Sequence, residues 1–427
     1  MTTKKINIGV FGGGRGSVMI DVLFAHPDAR LAAVCDKYEP LLEKVRRKAA
    51  ERGMEVACYN NFEDFLAHPD LDAVVLANYA TEHATFAIRC LKAGKHVLSE
   101  VLPSETVAQA VELIETVEQT GKVYAYAENY CYMYHSFEMR KKYAEGVIGE
   151  AKYAEGNYYH DCSDAWIDLT YGERDHWRNR LHPTFYCTHS LGPLMTITGL
   201  RPKSVVGFEI LPPDSLLAQG RRCGAGMEMV TMENGALFKS VHGPLKRQGI
   251  TQFYVYGNKG AMESGQRSDG QKRMNICRET EELCRFEWER YDPENDIAVD
   301  IRDASGVETH GGSDFYPTHC FIQKILGRED GKWCIDVYQA VDMSLCGLFA
   351  FRSILAGNTS MKIPNLCNGE ERDLWRNDHA CTNPDIAGDQ LLPTSSYPAL
   401  AKGLSDEEYA AIKQVWREKH KHDGESE

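Results

Sequence analysis

Residues 8–17 read Ile8-Gly9-Val10-Phe11-Gly12-Gly13-Gly14-Arg15-Gly16-Ser17, an apolar run that breaks into a glycine cluster and continues as a helical pattern. Glycine at 12 permits a tight turn, and glycine at 14 lets the backbone approach a pyrophosphate. The free N–H groups and positive end of the following helix would bind that anion. Ser17 stands where the third glycine of a G-x-G-x-x-G fingerprint belongs, but it is small and Gly16 precedes it. Asp36 ends the next apolar run at about 20 residues' spacing. A carboxylate there accepts hydrogen bonds from the adenosine ribose diol and repels a 2′-phosphate, so the pattern favours NAD, while Lys37 leaves some NADP tolerance open. A tight turn with a solvated aspartate is the plain alternative. The expected cofactor contacts here are Gly12, Gly14, Arg15, Gly16, Ser17 and Asp36.

Working outward, the first ~125 residues alternate short apolar runs with amphipathic patterns, the mark of a parallel α/β sheet. Strands are expected at 6–11, 30–35, 71–77, 96–99 and 123–127. Helices are expected at 17–26, 39–52, 83–93 and 105–120, with a helical turn at 62–66. After Tyr130 the texture changes. One more helix, 136–145, precedes longer β-like runs at 151–159, 204–211, 228–232, 236–242 and 252–257, punctuated by Gly, Asn and Pro. These predict a largely antiparallel sheet with one face packed on helices. Late helices are expected at 315–326, 336–356 and 405–419. The fold class is therefore α/β: an N-terminal Rossmann domain over 1–128, a substrate-binding α+β domain over 129–364, and a C-terminal extension over 365–427.

A chain of 427 residues suits two domains, and 43% hydrophobic with 26% charged residues is the profile of a soluble globular protein. A formal net charge of -14 offers no basic patch for phosphates, so nucleic-acid binding is not expected. The N-terminus has no apolar region of signal-peptide length, and no apolar run approaches the ~18 residues of a membrane span. A cytoplasmic protein without a membrane partner is expected. The 14 cysteines are scattered without a C-x-x-C pair, which argues against a zinc ribbon and for reduced thiols.

Three stretches carry a family resemblance: AVVLANYATEH over 73–83, AGKHVLSE over 93–100 and GKVYAYAENYCY over 121–132. Together they resemble the glucose–fructose oxidoreductase/inositol dehydrogenase/MocA (Gfo/Idh/MocA) family, from the Rossmann domain to about Asn358. The resemblance implies a Rossmann domain joined to an open-faced sheet that lines a sugar site and often mediates homo-oligomers. It also implies that Asn78 and His83 lie beside the cofactor, that Glu100 and Val101 sit near the nicotinamide ribose, and that Asn129 reaches the nicotinamide. For His83, a helix cap or surface position is the alternative. Most members read Glu-Lys-Pro after the fourth strand. Here the run is Glu100-Val101-Leu102-Pro103, so the lysine that usually assists removal of the hydroxyl proton is absent. Hydride transfer still needs a base, since an alcohol loses a proton as it loses hydride.

The stretch TFYCTHSLGP over 184–193 resembles the NAD-dependent glycosidase (α-N-acetylgalactosaminidase-like) branch of this family. So do Glu100-Val101, Asn129 to Tyr132, Tyr158-Tyr159-His160-Asp161 and Trp177-Arg178. Tyr186 and His189 are three apart and share one face of a helical turn. Histidine titrates near neutrality, and a tyrosinate becomes accessible beside a cation or bound NAD. Tyr186 and His189 are therefore the expected catalytic acid/base pair, with a packed tyrosine and a capping histidine as the alternative. Tyr158 and Arg178 would hold sugar hydroxyls. His160 and Asp161 would support the site or simply end a strand. His310 and Asp314, opening a late helix, would approach the substrate from the far side, or Ser313 or Asp314 would cap that helix. His160, His189 and His310 could meet a metal ion, but no spacing demands one, and none is expected.

The expected function is NAD(H)-dependent oxidation of a small sugar or glycoside, at C3. Two alternatives stand beside it: a redox-cycling glycosidase, in which oxidation, elimination, water addition and reduction follow in turn, and a non-catalytic NAD-binding sensor on the same fold.

Overall fold

The structure, a computed structural model, describes residues 5–163, 165–246, 250–264, 273–282 and 285–421. Six parallel strands form the first sheet: β1 (Ile6–Phe11), β2 (Ala29–Cys35), β3 (Ala57–Tyr59), β4 (Ala73–Leu76), β5 (His96–Ser99) and β6 (Tyr124–Tyr126). Their order is β3-β2-β1-β4-β5-β6, so the chain reverses direction between β1 and β4. In an open α/β sheet that switch point is where a crevice opens at the carboxyl ends of the strands. β4 reads AVVL and is buried along its whole length, as a strand covered by helices on both faces must be. The helix Val107–Thr120 starts with a capping box from Thr106 and Gln109 and stops at Gly121, whose φ of 61° suits glycine. β3 was not expected: three half-buried residues are too few for periodicity to register.

Nine strands form the second sheet: β7 (Ala151–Tyr159), β8 (Pro202–Ile210), β9 (Ala225–Met232), β10 (Leu237–Gly243), β11 (Ile250–Gly257), β12 (Gly260–Ser264), β13 (Met274–Glu279), β14 (Phe286–Tyr291) and β15 (Met361–Lys362). Their order is β14-β13-β12-β11-β7-β10-β9-β8-β15, antiparallel except for the β7–β10 pair. Strands β12 to β15 were not expected from the sequence. β14, FEWERY, is exposed almost throughout and so carries no buried apolar face to read.

Two helices close the molecule. Phe315–Ile325 returns to the first sheet, where Phe321 and Ile322 join Ile8, Val10 and Leu23 in one apolar cluster. Val337–Leu355 is apolar nearly all round because it is packed on several sides, against β8, the turn at Pro183–Tyr186 and the first domain. The C-terminal segment then wraps back. Arg372 makes a bidentate pair with Glu118 at 2.6 and 2.7 Å, and Arg376 another with Glu115. Asn383 donates to buried Glu105, and the final helix, Asp406–Lys419, lies against residues 168–174 through Arg174–Asp406 and Lys413–Glu173. No helix among the described residues is long and apolar enough to cross a membrane.

The helix Thr188–Thr198 sits hard against β7, because a Cβ at Gly156 would collide with the backbone carbonyl of Ser190. Replacing Gly156 by alanine should cost about 1–3 kcal/mol of stability, since the obstructing atom is backbone and cannot rotate away. Thermal denaturation of the Gly156→Ala variant checks this; an unchanged Tm would contradict the close approach.

Burial holds His26, His83 and His182 down to about 4, from an ordinary value of 6.5. They are neutral in the folded chain, whereas the unfolded chain takes up protons below about 6.5. Their contribution is therefore complete above that value and is lost as pH falls from 6.5 toward 4. Tm should decline across that window, and a flat Tm between pH 7 and 4.5 would contradict it.

Candidate active site

The glycine-rich turn lies at the carboxyl end of β1. Gly12 holds φ at +96°, and a Cβ there would meet the backbone of Ala77 and Asn78. A Cβ at Gly14 would meet nothing within 4 Å, so that position opens onto free space. The helix Ser17–Ala25 begins without a side-chain cap; the Ser17 N–H donates to the Gly14 carbonyl at 3.3 Å, and the N–H groups of Val18 and Met19 are left for another acceptor. Asp36 ends β2, and its carboxylate accepts the N–H groups of Gly13 at 2.7 Å and Tyr38 at 2.9 Å. Its remaining lone pairs are free for a diol. At the end of β4, Asn78 donates to Glu82 while its Oδ1 is buried with no hydrogen-bond partner among the described residues. An open cradle, uncapped N–H groups, a carboxylate at the second strand and an orphaned amide oxygen at the switch point fit a bound dinucleotide.

His83 is neither the N-cap of its helix, which is Glu82, nor a surface residue. It is buried, with Nδ1 3.1 Å from the Leu102 carbonyl, so it fixes the chain after β5. Glu100 is buried and accepts Arg15 Nε at 2.7 Å; burial pushes its carboxyl up while Arg15 opposes the shift. Val101 is buried beside it.

Asp314 does not cap its helix. Its side chain makes no capping bond and instead accepts Arg15 Nη2 (2.8 Å), Asn129 Nδ2 (2.8 Å), Thr309 Oγ1 (2.5 Å) and His310 Nδ1 (2.7 Å). Burial alone would raise its pKa, but His310 and Arg15 outweigh that and hold the carboxyl well below the usual range. With Nδ1 tied down, the partly exposed His310 keeps its Nε2 for other work.

Tyr186 ends the turn Pro183–Tyr186, and His189 lies in the first turn of the helix that follows. Their rings meet edge-on with centroids 4.9 Å apart. The sequence did not single out the group that orients the histidine. Glu128, fully buried after β6, holds His189 Nδ1 at 2.7 and 2.9 Å through its two oxygens. It is the neighbour of Asn129, but the pairing spans 61 residues, so no local spacing signals it. Tyr130 lies at the centre, its ring 4.4 Å from His189, 5.2 Å from Tyr158 and 5.6 Å from His310. Tyr158 Oη is 2.9 Å from His160 Nδ1. Arg178 stacks on Trp177. Burial raises the Tyr186 phenol, and Arg178 pulls it back. Asp161 turns to Ser163 and Lys246 and away from this cluster. Among the described residues no three ligating side chains gather as a metal site.

Residues 6–128 match the oxidoreductase family with an NAD-binding Rossmann fold, Gfo/Idh/MocA. Over those residues the chain carries the NAD-binding domain of the Gfo/Idh/MocA oxidoreductase family. This NAD-dependent oxidoreductase is 26% identical over 400 residues to a glycosyl hydrolase family 109 protein of Solibacter usitatus, covering 86% of this chain and 89% of that one. It is 24% identical over 407 residues to another family 109 protein, from a Shewanella species, covering 85% of each. Its fold superposes on levoglucosan dehydrogenase in complex with NADH and L-sorbose, with a TM-score of 0.68 at 17% identity, over 85% of this chain and all of that one.

Glu128→Gln tests the His189 pairing. An amide can donate where the carboxylate only accepts, so the imidazole loses its fixed tautomer. The expected loss in kcat is roughly a hundredfold or more. Steady-state kinetics with circular dichroism as the folding control checks it, and full activity would exclude the pairing from catalysis.

Proposed function

We propose that this oxidoreductase acts on a sugar or glycoside, oxidising the C3 hydroxyl carbon. The observation that carries this reading is the His189–Glu128 pair set against Tyr186, with Asn129 and Glu100 beside it at the carboxyl ends of the first sheet. Bound NAD, held by the glycine-rich turn, Asp36 and the Glu100 region, would supply a hydride acceptor and, in the reverse direction, a donor. Tyr186, whose phenol burial raises and the nearby Arg178 pulls back, takes the hydroxyl proton as the C3 hydrogen departs. It fills the place of the missing lysine. Tyr158, His160 and Arg178 orient the ring hydroxyls.

A second reading, the redox-cycling glycosidase, is favoured by one feature. Simple alcohol oxidation needs one base, yet the site holds two histidines, each with Nδ1 on a buried carboxylate: His189 on Glu128 and His310 on Asp314. A ketone at C3 acidifies the C2 hydrogen. His189 Nε2 then removes that proton and His310 Nε2 gives one to the group leaving C1. Water adds back to the unsaturated ring before the ketone is reduced. The family 109 names of the relatives agree with this second reading.

Cofactor turnover separates the two. The purified protein is offered aryl glycosides and free sugars, with and without added NAD, while aglycone and NADH are followed together. Net NADH in step with substrate loss, with C1 intact, is the outcome expected for a 3-dehydrogenase. Aglycone release with no net NADH is the outcome for the redox-cycling glycosidase. If NAD binds but neither signal arises, the catalytic assignment of Tyr186 and His189 fails and a sensor remains.

A further inference from the structure

A cavity opens beside Tyr186 and Tyr158, away from the glycine-rich turn, between Trp166 and Trp177 and floored by His182 and His242. Two arginines line it. Arg221 is 6% exposed, and its guanidinium lies over the Trp166 ring at 4.5 Å. It donates Nε to the Cys223 carbonyl at 2.7 Å and Nη1 to the Arg178 carbonyl at 2.6 Å. Those bonds use two of the five N–H donors a guanidinium carries. Arg178 lies over the Trp177 ring at 4.3 Å and spends no side-chain donor on a protein acceptor among the described residues. Neither arginine forms an ion pair among the described residues. The other arginines of this region do: Arg174 pairs with Asp406, Arg180 with Asp385 and Arg222 with Glu408.

The buried carboxylates behind the cavity lie against its two histidines, and neither pairs with Arg178 or Arg221 among the described residues. Glu209 lies 3.7 Å from His182 and accepts Ser395 Oγ and the Ser396 N–H at 2.6 and 2.7 Å. Glu228 lies 3.4 Å from His242. A nearly buried guanidinium with no counter-charge is costly, and in a chain of net charge -14 an anionic partner would have been easy to supply. The arginines are also pre-oriented. Stacking on the indoles fixes each plane, and Trp166 is itself locked by its Nε1–H to Asn179 at 2.9 Å. Flat, rigid forks with open edges match a carboxylate or phosphate.

We propose that this cavity holds an anionic substituent of the sugar substrate, a carboxylate or a phosphate, between Arg178 and Arg221. The substrate is then an acidic sugar or glycoside rather than a neutral one, with its ring against Tyr158 and Tyr186. This deepens the function proposed above and rests on it.

The test uses the holoenzyme with matched p-nitrophenyl glycosides: glucuronide, 6-phosphoglucoside and glucoside, in both anomers, with a galacto series alongside. At low salt the preferred anionic member should exceed its neutral counterpart by about 10- to 100-fold in kcat/KM, the range for hydrogen bonds to charged groups. Preference for the uronide identifies a carboxylate, and preference for the 6-phosphoglucoside identifies a phosphate. Arg221→Gln and Arg178→Gln should each collapse the ratio of anionic to neutral kcat/KM toward one. If Arg221→Gln does not fold, the more exposed Arg178→Gln carries the test. Equal or better turnover of neutral glycosides overturns this inference and leaves the sugar reading intact. If nothing turns over, the sugar reading fails. Calorimetry of glucuronate, glucose 6-phosphate and glucose then decides the cavity by itself, and binding of the two anions no tighter than that of glucose overturns it.

Discussion

One buried carboxylate ties this molecule together. Asp314 accepts Arg15 from the glycine-rich turn, Asn129 from the end of the first sheet, and Thr309 and His310 from its own loop. A carboxylate out of water is tolerable only when its lone pairs are filled and its charge is opposed, and here both conditions hold. Arg15 and Asp314 stand 299 residues apart in sequence. The contact therefore registers the two ends of the fold at the cofactor turn. It also sets His310, because the same carboxylate that receives Arg15 receives the imidazole.

The remaining chemistry follows a similar rule: a functional side chain is aimed by a buried neighbour that fixes its orientation. Glu128 aims His189, Asp314 aims His310, and the two indoles aim Arg178 and Arg221. The C-terminal segment gives mechanical support to this arrangement. Ser395 and Ser396 hold Glu209 behind His182, which opens the turn ending at Tyr186. The last helix braces residues 168–174 just before Trp177. Bonds of this kind restrict the segment between β7 and Tyr186, which would otherwise be a long connection across the substrate side.

Local chemistry was legible in sequence wherever the determining residues are neighbours along the chain. The strand, glycine turn and helix at 6–25 form one uninterrupted segment, and Asp36 follows at a fixed spacing. Tyr186 and His189 stand three residues apart, at the end of one turn and the start of the next helix, so their proximity was readable. The exposed strand β14 was not, since residues solvated on both faces leave no alternation to detect. The Asp314 side chain was left open between a helix cap and a site residue, because at an N-terminus both fit the same pattern. Only the approach of Arg15 and Asn129 decides between them.

The sequence by itself determined the cofactor class, the Rossmann half and the tyrosine–histidine pair, because each rests on backbone freedom, strand burial or helical periodicity within a few residues. The tertiary structure alone decided which carboxylate orients which histidine and which arginines go without an ion pair among the described residues. Those are statements about burial and about partners 43 to 299 residues away, as for Arg221 with Arg178 and Asp314 with Arg15. The desolvation that makes such pairings strong exists only once the chain has folded around them.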